Sequence, residues 1–158
     1  MSLVKHLAAL VISLSASAAL AQDRPPYGPT VNLEQAKRIA AAALAEAQKN
    51  KWRVATAIVD NHGFLVYFEK MDDTQTAGVE VAIEKARTAA MYRRPTKVME
   101  DAINKGRVSA LAFPGATPIE GGIPITADGR VIGAVGVSGV NADQDAQVAQ
   151  AGLNALAK

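Results

Sequence analysis

Two short β-branched runs joined by Asp128-Gly129 constrain the fold of this chain more than any other feature. The first run spans Ile123 to Thr126 and the second spans Val131 to Val140. Asp-Gly between such runs predicts a tight hairpin, because a type I′ turn needs positive φ at both central residues. The second run carries glycine at every third position, at Gly133, Gly136 and Gly139. Since glycine weakens a strand, this spacing predicts that another group lies close against the backbone.

A basic residue, an apolar run and a small-residue motif open the chain. Lys5 precedes the run from Leu7 to Leu20, which ends in Ala19-Leu20-Ala21. This pattern predicts a secretory signal peptide over residues 1–21, cut after Ala21, and therefore a periplasmic or secreted protein. The alternative is a membrane anchor, but the run is shorter than the ~20 apolar residues that a span needs. We expect no stable membrane insertion after cleavage.

Composition limits the partners of the processed chain. Residues 22–30 are rich in proline and glycine, which predicts an extended leader without a core role, and residues 31–158 have the length of a single domain. Removing Lys5 leaves 16 Lys and Arg (17 − 1) against 15 Asp and Glu, a net charge near +1. With no basic run interleaved with aromatics, nucleic acid is not an expected partner. The absence of cysteine excludes disulfides and a cysteine-based metal site, and an exported chain of this kind fits a Gram-negative periplasm.

Hydrophobic periodicity predicts the element order α-β-β-α-α-β-β-β-α. The predicted elements are a helix from Asn32 to Asn50, a hairpin of Val54–Val59 and Phe64–Phe68, a helix from Thr76 to Pro95, a short helix closed by Gly106, a strand over Val108–Phe113, the hairpin of Gly121–Val140 and a final helix carrying Val148 and Leu156. Consecutive strands joined by tight turns form antiparallel sheets. The order therefore predicts a layered α+β domain, a five-stranded antiparallel sheet with flanking helices.

Five local patterns occur in a fixed order along the chain. They are Val59-Asp60 with Gly63-Phe64-Leu65-Val66, Lys70-Met71-Asp72, Glu84-Lys85-Ala86-Arg87-Thr88-Ala89, Gly121-Gly122-Ile123-Pro124-Ile125, and Ile132–Gly139 with Asp145. In these patterns, from about Leu33 to Leu156, the chain resembles the GlcG/HbpS-like haem-binding family, whose domain also occurs fused to a cobalamin adenosyltransferase. At Lys70 a lysine stands where the family usually has an arginine. The resemblance implies a profilin-like or PAS-like fold, assembly into homo-oligomers and, as in some members, haem binding.

Haem needs an axial ligand and an apolar slot, and two residues are candidates for the ligand. His62 is the sole histidine after signal cleavage, and an exposed turn residue is the alternative interpretation of its place in Asp60-Asn61-His62-Gly63. Tyr92 stands beside Arg93 and Arg94, which would stabilise a phenolate or meet haem propionates. Its alternative is a helix-end aromatic half-buried at an interface. Apart from haem-iron ligation by Tyr92 or His62, no metal site is predicted.

The segment Phe113–Gly122 is predicted to form a pocket rim, with an ordinary loop as the alternative. Phe113 offers an apolar wall, and the backbone amides of Gly121 and Gly122 are free of side-chain cover and able to meet carboxylate or phosphate oxygens. Lys85 lies beside the apolar stripe of the second helix, where it would pair with an anionic ligand group or tune a buried carboxylate. Alternatively, its stem covers apolar surface and its ammonium reaches water.

Three functional hypotheses follow. The first is an exported small-ligand-binding protein that holds haem or a similar planar anion in an apolar groove between the sheet and the second helix, for sequestration or delivery. The second is a small-molecule enzyme or accessory protein acting on an organic acid, in 2-hydroxy acid or diol metabolism, with Lys85 as general acid or base. The third is a ligand-free oligomeric scaffold whose strand glycines only permit close packing. Outside the second hypothesis no catalytic residue is assigned, because Ser138 lacks the G-x-S-x-G elbow.

Overall fold

A four-stranded antiparallel sheet with helices on both faces forms the centre of the computed structural model, which describes residues 24–156. The elements are α1 (Leu33–Lys49), β1 (Ala55–Asp60), β2 (Leu65–Lys70), α2 (Gly78–Tyr92), α3 (Thr96–Asn104), a 3-10 helix (Val108–Ala112), β3 (Gly122–Ala127), β4 (Arg130–Ser138) and α4 (Ala142–Asn154). The α+β class and the flanking helices are confirmed. The predicted signal peptide lies outside the described residues.

The sheet has the strand order β2-β1-β4-β3, so both predicted hairpins are present and meet along β1 and β4. In the second hairpin Ile123 pairs with Val135, and the turn residues Asp128 and Gly129 have φ of 49° and 70°. Positive φ at both central positions is the geometry that the Asp-Gly pair predicted. Capping is also as expected at the start of α1, where Asn32 and Gln35 form a capping box.

The predicted fifth strand over Val108–Phe113 is wrong. The chain forms a 3-10 helix over Val108–Ala112, in which the Ala110 amide donates to the Arg107 carbonyl at 3.1 Å. A five-residue apolar run has no periodicity that separates a buried strand from a helical turn. Burial separates them here, because Val108 and Leu111 are 66% and 63% exposed, and a central strand would have hidden both. The order is therefore α-β-β-α-α, a 3-10 turn, then β-β-α.

Two apolar layers cover the sheet. Helices α1 and α4 pack on one face over Ile58, Val135 and Val137, and α2 covers the other face with alanines opposite Ala57 and Ala134. Alanine permits a close approach of helix and strand. None of the helices described between residues 24 and 156 is both long and apolar enough to cross a membrane.

The glycine triplet of β4 is filled by the protein's own backbone. A Cβ atom on Gly136 would collide with the carbonyl oxygen of Ala82 in α2, and one on Gly139 would collide with the carbonyl oxygen of Arg53. The prediction that another group lies close against this strand is confirmed. The predicted groove for a flat ligand between the sheet and α2 is wrong, because α2 occupies that space.

The described part of the leader, residues 24–30, contacts the domain at several points. Tyr27 forms a parallel bridge with Val131, whose amide donates to the Pro26 carbonyl at 2.9 Å. The Tyr27 hydroxyl donates to the carbonyls of Ala90 and Met91 at 3.1 and 3.0 Å, at the end of α2. This segment is therefore positioned next to the carboxyl end of α2.

Candidate functional site

Lys85 is closed inside the fold in an ion pair with Asp145. Its ammonium donates to Asp145 Oδ2 at 2.8 Å and to the Val137 carbonyl at 3.1 Å. The two side chains are only 2% and 3% exposed. The pair joins α2, β4 and α4. Of the roles considered for Lys85, this geometry matches the tuning of a buried carboxylate, and it does not support contact with a ligand or acid-base work on a substrate.

Asp145 is held from several sides. Its Oδ1 accepts the Val140 amide at 3.2 Å. Burial raises the pKa of Asp145 above its ordinary 3.8, while the hydrogen bond and the charge of Lys85 and the amides of Val140 and Gly139 act in the opposite direction. Gly121, with φ of 123°, passes directly over the pair, where a Cβ atom would lie 2.9 Å from the Lys85 ammonium. The residue is glycine because nothing larger fits between the pair and the loop.

The Gly122 amide is not available to an anion. It donates to the Thr96 hydroxyl at 3.0 Å, and that hydroxyl lies 3.4 Å from the Gly122 carbonyl. A cavity of about 310 Å³ does lie along Gly121 and Gly122, on the side of α3 and α4. The cation that lines it, Lys97, binds Asp101 and Glu120 at 3.2 Å each. The Gly122 amide and the Lys97 ammonium therefore already have partners within the chain.

Tyr92 and Phe113, predicted from separate segments, are brought together. Their ring centroids are 5.6 Å apart with an interplanar angle of 32°. The Tyr92 hydroxyl donates to the Pro114 carbonyl at 2.6 Å. The guanidinium carbon of Arg94 lies 6.0 Å from the Tyr92 centroid and 5.9 Å from that of Phe113. The phenol is thus held as a proton donor, and ligation of iron would require it to give up this hydrogen bond.

Arg94 carries a charge that no carboxylate of residues 24–156 neutralises through an ion pair. Its Nε atom is buried and has no hydrogen-bond partner. Desolvation lowers the pKa of Arg94, and the charges of Arg24 and Arg107 lower it further. The Arg94 guanidinium therefore lies beside the Tyr92–Phe113 ring pair, close enough to Arg24 and Arg107 for their charges to act on it.

His62 opens onto a different surface. Its backbone amide donates to Asp60 Oδ1 at 2.8 Å, which fixes the turn and leaves the side chain exposed. It lines a depression of about 310 Å³ with Tyr27, Asn61 and Met91. The exposed-turn interpretation of His62 thus holds in this single chain. The depression is nevertheless mostly apolar and contains the sole imidazole of the described residues.

Asn61 is the polar member of this depression that the sequence did not reveal. Its Nδ2 donates to the Gly28 carbonyl at 2.6 Å, and its Oδ1 is buried without a partner. Buried acceptors are usually satisfied, so this oxygen can take a donor. Tyr27 was also missed, although a lone tyrosine inside a proline-rich leader was the available signal. Among residues 24–156 no cluster of three or more His, Cys, Asp or Glu side chains is placed to hold a metal ion.

Exposed apolar residues line the depression, as Met91 does, or follow His62 closely in the chain, as Phe64 and Leu65 do. Phe64 is 70% exposed, and Leu65 and Met91 are close to half exposed. Two cations lie on the same side of the fold. Arg87 donates to the Gly63 carbonyl at 3.2 Å, and the Arg93 guanidinium lies 5.1 Å from the centre of the Tyr27 ring.

Comparisons with known proteins agree on one family. The family model described as "Haem degrading protein HbpS-like" matches residues 31–154. Protein GlcG of Escherichia coli K12 is 47% identical over 105 residues, which cover 66% of this chain and 78% of that protein. The crystal structure of HbpS has 31% identity and a TM-score of 0.77, covering 82% of this chain and 92% of that one. The crystal structure of a PduOC:Heme complex has 27% identity and a TM-score of 0.73, with coverages of 80% and 94%.

Proposed function

This chain belongs to the HbpS-like family, and from that premise we propose that it binds haem at the depression around His62. The His62 imidazole is the axial ligand in this proposal. Tyr27 and Met91 supply apolar walls, and Arg93 supplies positive charge for the propionates. Haem, when bound, contributes an iron that accepts an axial ligand and a flat conjugated ring that needs apolar contact.

One combination of features favours haem binding at the depression around His62 over haem binding at Tyr92. The depression combines an exposed imidazole with a mostly apolar lining and with a buried acceptor, Asn61 Oδ1, that has no partner. Tyr92, the other candidate ligand, donates its proton to the Pro114 carbonyl at 2.6 Å. A phenolate ligand would have to lose both that proton and that bond. His62 has to break no side-chain hydrogen bond that the structure describes.

Exposure of the surrounding apolar side chains supports assembly as part of the same proposal. Met91, which lines the depression, and Phe64 and Leu65, which follow His62 in the chain, are exposed, and burying a large apolar side chain stabilises by about 1.5–3 kcal/mol. A second copy of the chain is the proposed cover, and it would also shield the haem face from water. Light scattering of the purified protein tests this, because a monomer at all concentrations contradicts a homo-oligomer.

Export completes the proposal. The amino-terminal pattern ending at Ala21 supports secretion to the periplasm, where the protein would sequester or deliver haem. Mass spectrometry of the protein from a cell fractionation tests this directly. A periplasmic chain beginning at Gln22 is expected, and an uncut chain in the cytoplasm would contradict export.

Haemin titration tests the ligand. The wild type should sharpen and shift the Soret band to saturation, and His62→Ala should weaken or abolish that shift. Tyr92→Phe is the matched control and should bind as the wild type does. If Tyr92→Phe loses the shift and His62→Ala keeps it, the site is misassigned. If the wild type leaves the free-haemin spectrum unchanged at stoichiometric concentration, haem binding itself is wrong.

Haem degradation is a second candidate, favoured by the description of the family model. Sequestration and degradation differ in the fate of the bound haem. With hydrogen peroxide added as oxidant, degradation predicts that the Soret band of the complex decays faster than that of haemin held by serum albumin. Sequestration predicts that it decays more slowly.

A further inference from the structure

We propose that Arg24, Arg94 and Arg107, together with the Tyr92–Phe113 ring pair, form a second ligand site that binds a carboxylate attached to a flat aromatic ring. This arginine–aromatic site shares no residue with the depression around His62, and it goes beyond the proposed haem function. It lies at the carboxyl end of α2 and at the start of the described leader.

Charge is the first argument. The Arg94 guanidinium carbon lies 6.0 Å from the Tyr92 centroid and 5.9 Å from the Phe113 centroid. Burial lowers the pKa of Arg94, and the like charges of Arg24 and Arg107 lower it further. The ion pairs of residues 24–156 involve Lys49, Lys85, Arg87 and Lys97, and none involves these three arginines. Repulsion of this kind is relieved when an anion lies among the guanidinium groups. A guanidinium fork suits a carboxylate, which accepts two parallel hydrogen bonds.

The buried Nε of Arg94 is the second argument. A buried donor without a partner costs about 1–3 kcal/mol, so its persistence points to a partner other than the residues described between 24 and 156. Arg94 is half-buried by the two rings, whereas Arg24 and Arg107 are exposed and able to move toward a ligand. The site therefore has one fixed donor and two adaptable ones.

The Tyr92–Phe113 ring pair indicates which chemical group carries the carboxylate of the ligand. Tyr92 and Phe113 are tilted by 32° to each other, and each residue is half-buried and so keeps part of its surface exposed. Aromatic groups gain from offset or edge contacts with such rings, and guanidinium planes stack on them as well. A flat aromatic ring gains from both contacts, whereas a saturated ring of the same size gains only apolar burial. The chemistry thus selects an aromatic carboxylate over an aliphatic one.

Benzoate, cyclohexanecarboxylate and inorganic phosphate are the probes. We expect saturable benzoate binding by NMR titration of the purified protein, weaker cyclohexanecarboxylate binding, and the weakest binding for phosphate. Arg94→Gln should reduce the affinity for benzoate by roughly 10- to 100-fold, the equivalent of one charged hydrogen bond. Arg107→Gln, at an exposed position, should reduce it by less. Phe113→Leu should remove the preference for benzoate over cyclohexanecarboxylate.

Arg53→Gln is the matched control, because Arg53 is an exposed arginine just before the start of β1 and is not part of the arginine–aromatic site. It should bind benzoate as the wild type does. Equal loss in Arg53→Gln and Arg94→Gln would reduce the effect to net charge and overturn the proposal, as would wild-type protein that shows no saturable shift. Equal affinity for benzoate and cyclohexanecarboxylate would refute the role of the rings. Haemin titration of Arg94→Gln should match the wild type, which keeps this test separate from that of the haem site.

Discussion

Removing the cation of the buried Lys85–Asp145 pair should cost more stability than any exposed charge change. Lys85→Met keeps the side-chain volume but leaves a carboxylate, 3% exposed, with only backbone amides as partners. Breaking a buried pair from one side costs about 3–5 kcal/mol, because the remaining charge is uncompensated. At about 2–4 °C per kcal/mol for a chain of this size, the melting temperature should fall by roughly 6–20 °C.

The loss of unfolding free energy caused by Lys85→Met should also increase with pH. Burial raises the pKa of Asp145 above 3.8, so the folded protein holds this proton more tightly than the unfolded chain does. The free energy of unfolding therefore falls as pH rises from the unfolded value through the folded pKa. Lys85→Met removes the positive charge that lowers the pKa of Asp145. The pH range over which the free energy of unfolding falls therefore extends to higher pH. Within that range the free energy of unfolding falls by at most about 1.4 kcal/mol per pH unit. Asp145→Asn has no carboxyl group to titrate at this position, so its loss of unfolding free energy relative to the wild type should not increase with pH.

Urea unfolding followed by Trp52 fluorescence at a series of pH values measures all of this. Lys97→Met is the control, because Lys97 is half exposed and its pairs with Asp101 and Glu120 should contribute little. A neutral-pH cost for Lys85→Met no larger than that of Lys97→Met would refute the reasoning. So would a cost that stays flat, or shrinks, as pH rises.

Three further changes test the fold. Gly136→Ala should lower the free energy of unfolding by about 1–3 kcal/mol in urea unfolding, because the added methyl group overpacks against α2. The loss should exceed that of Gly115→Ala, where a Cβ atom meets no neighbour and only the positive φ is strained. Tyr27→Phe should lose about 0.5–1.5 kcal/mol with its hydroxyl bonds to the end of α2, and limited proteolysis should then cut the leader sooner. Asn32→Ala should cost about 1 kcal/mol as a lost helix cap, visible as a lower melting temperature.

Local sequence patterns predicted the fold correctly where a residue type strongly prefers a single structural role. Asp128-Gly129 specified its hairpin because few other pairs adopt positive φ twice, and Asn32 marked the start of α1 because its side chain caps that helix. Val108–Phe113 could not be assigned in the same way. Its apolar residues suit a strand and a helical turn equally, and only the tertiary surroundings decide between them.

The site was less predictable because it depends on which segments meet. The glycine triplet correctly indicated a close neighbour, but a sequence does not say whether that neighbour is a ligand or α2. Lys85 was singled out, whereas its partner Asp145 is 60 residues away and was named only as part of the last of the five local patterns. Tyr92 and Phe113 were both selected, and their contact with each other appears only in three dimensions.

Residues 24–30 contribute to both proposed sites, and this bears on the proposed cleavage after Ala21. Arg24 contributes its charge beside Arg94, while Tyr27 forms a wall of the depression around His62. Cleavage after Ala21 leaves both residues on the processed chain, whereas a cut beyond Tyr27 would remove one member from each site. A segment with so few apolar residues gains little by packing in the core. Its bonds to Val131 and to the end of α2 therefore hold the Tyr27 side chain in place.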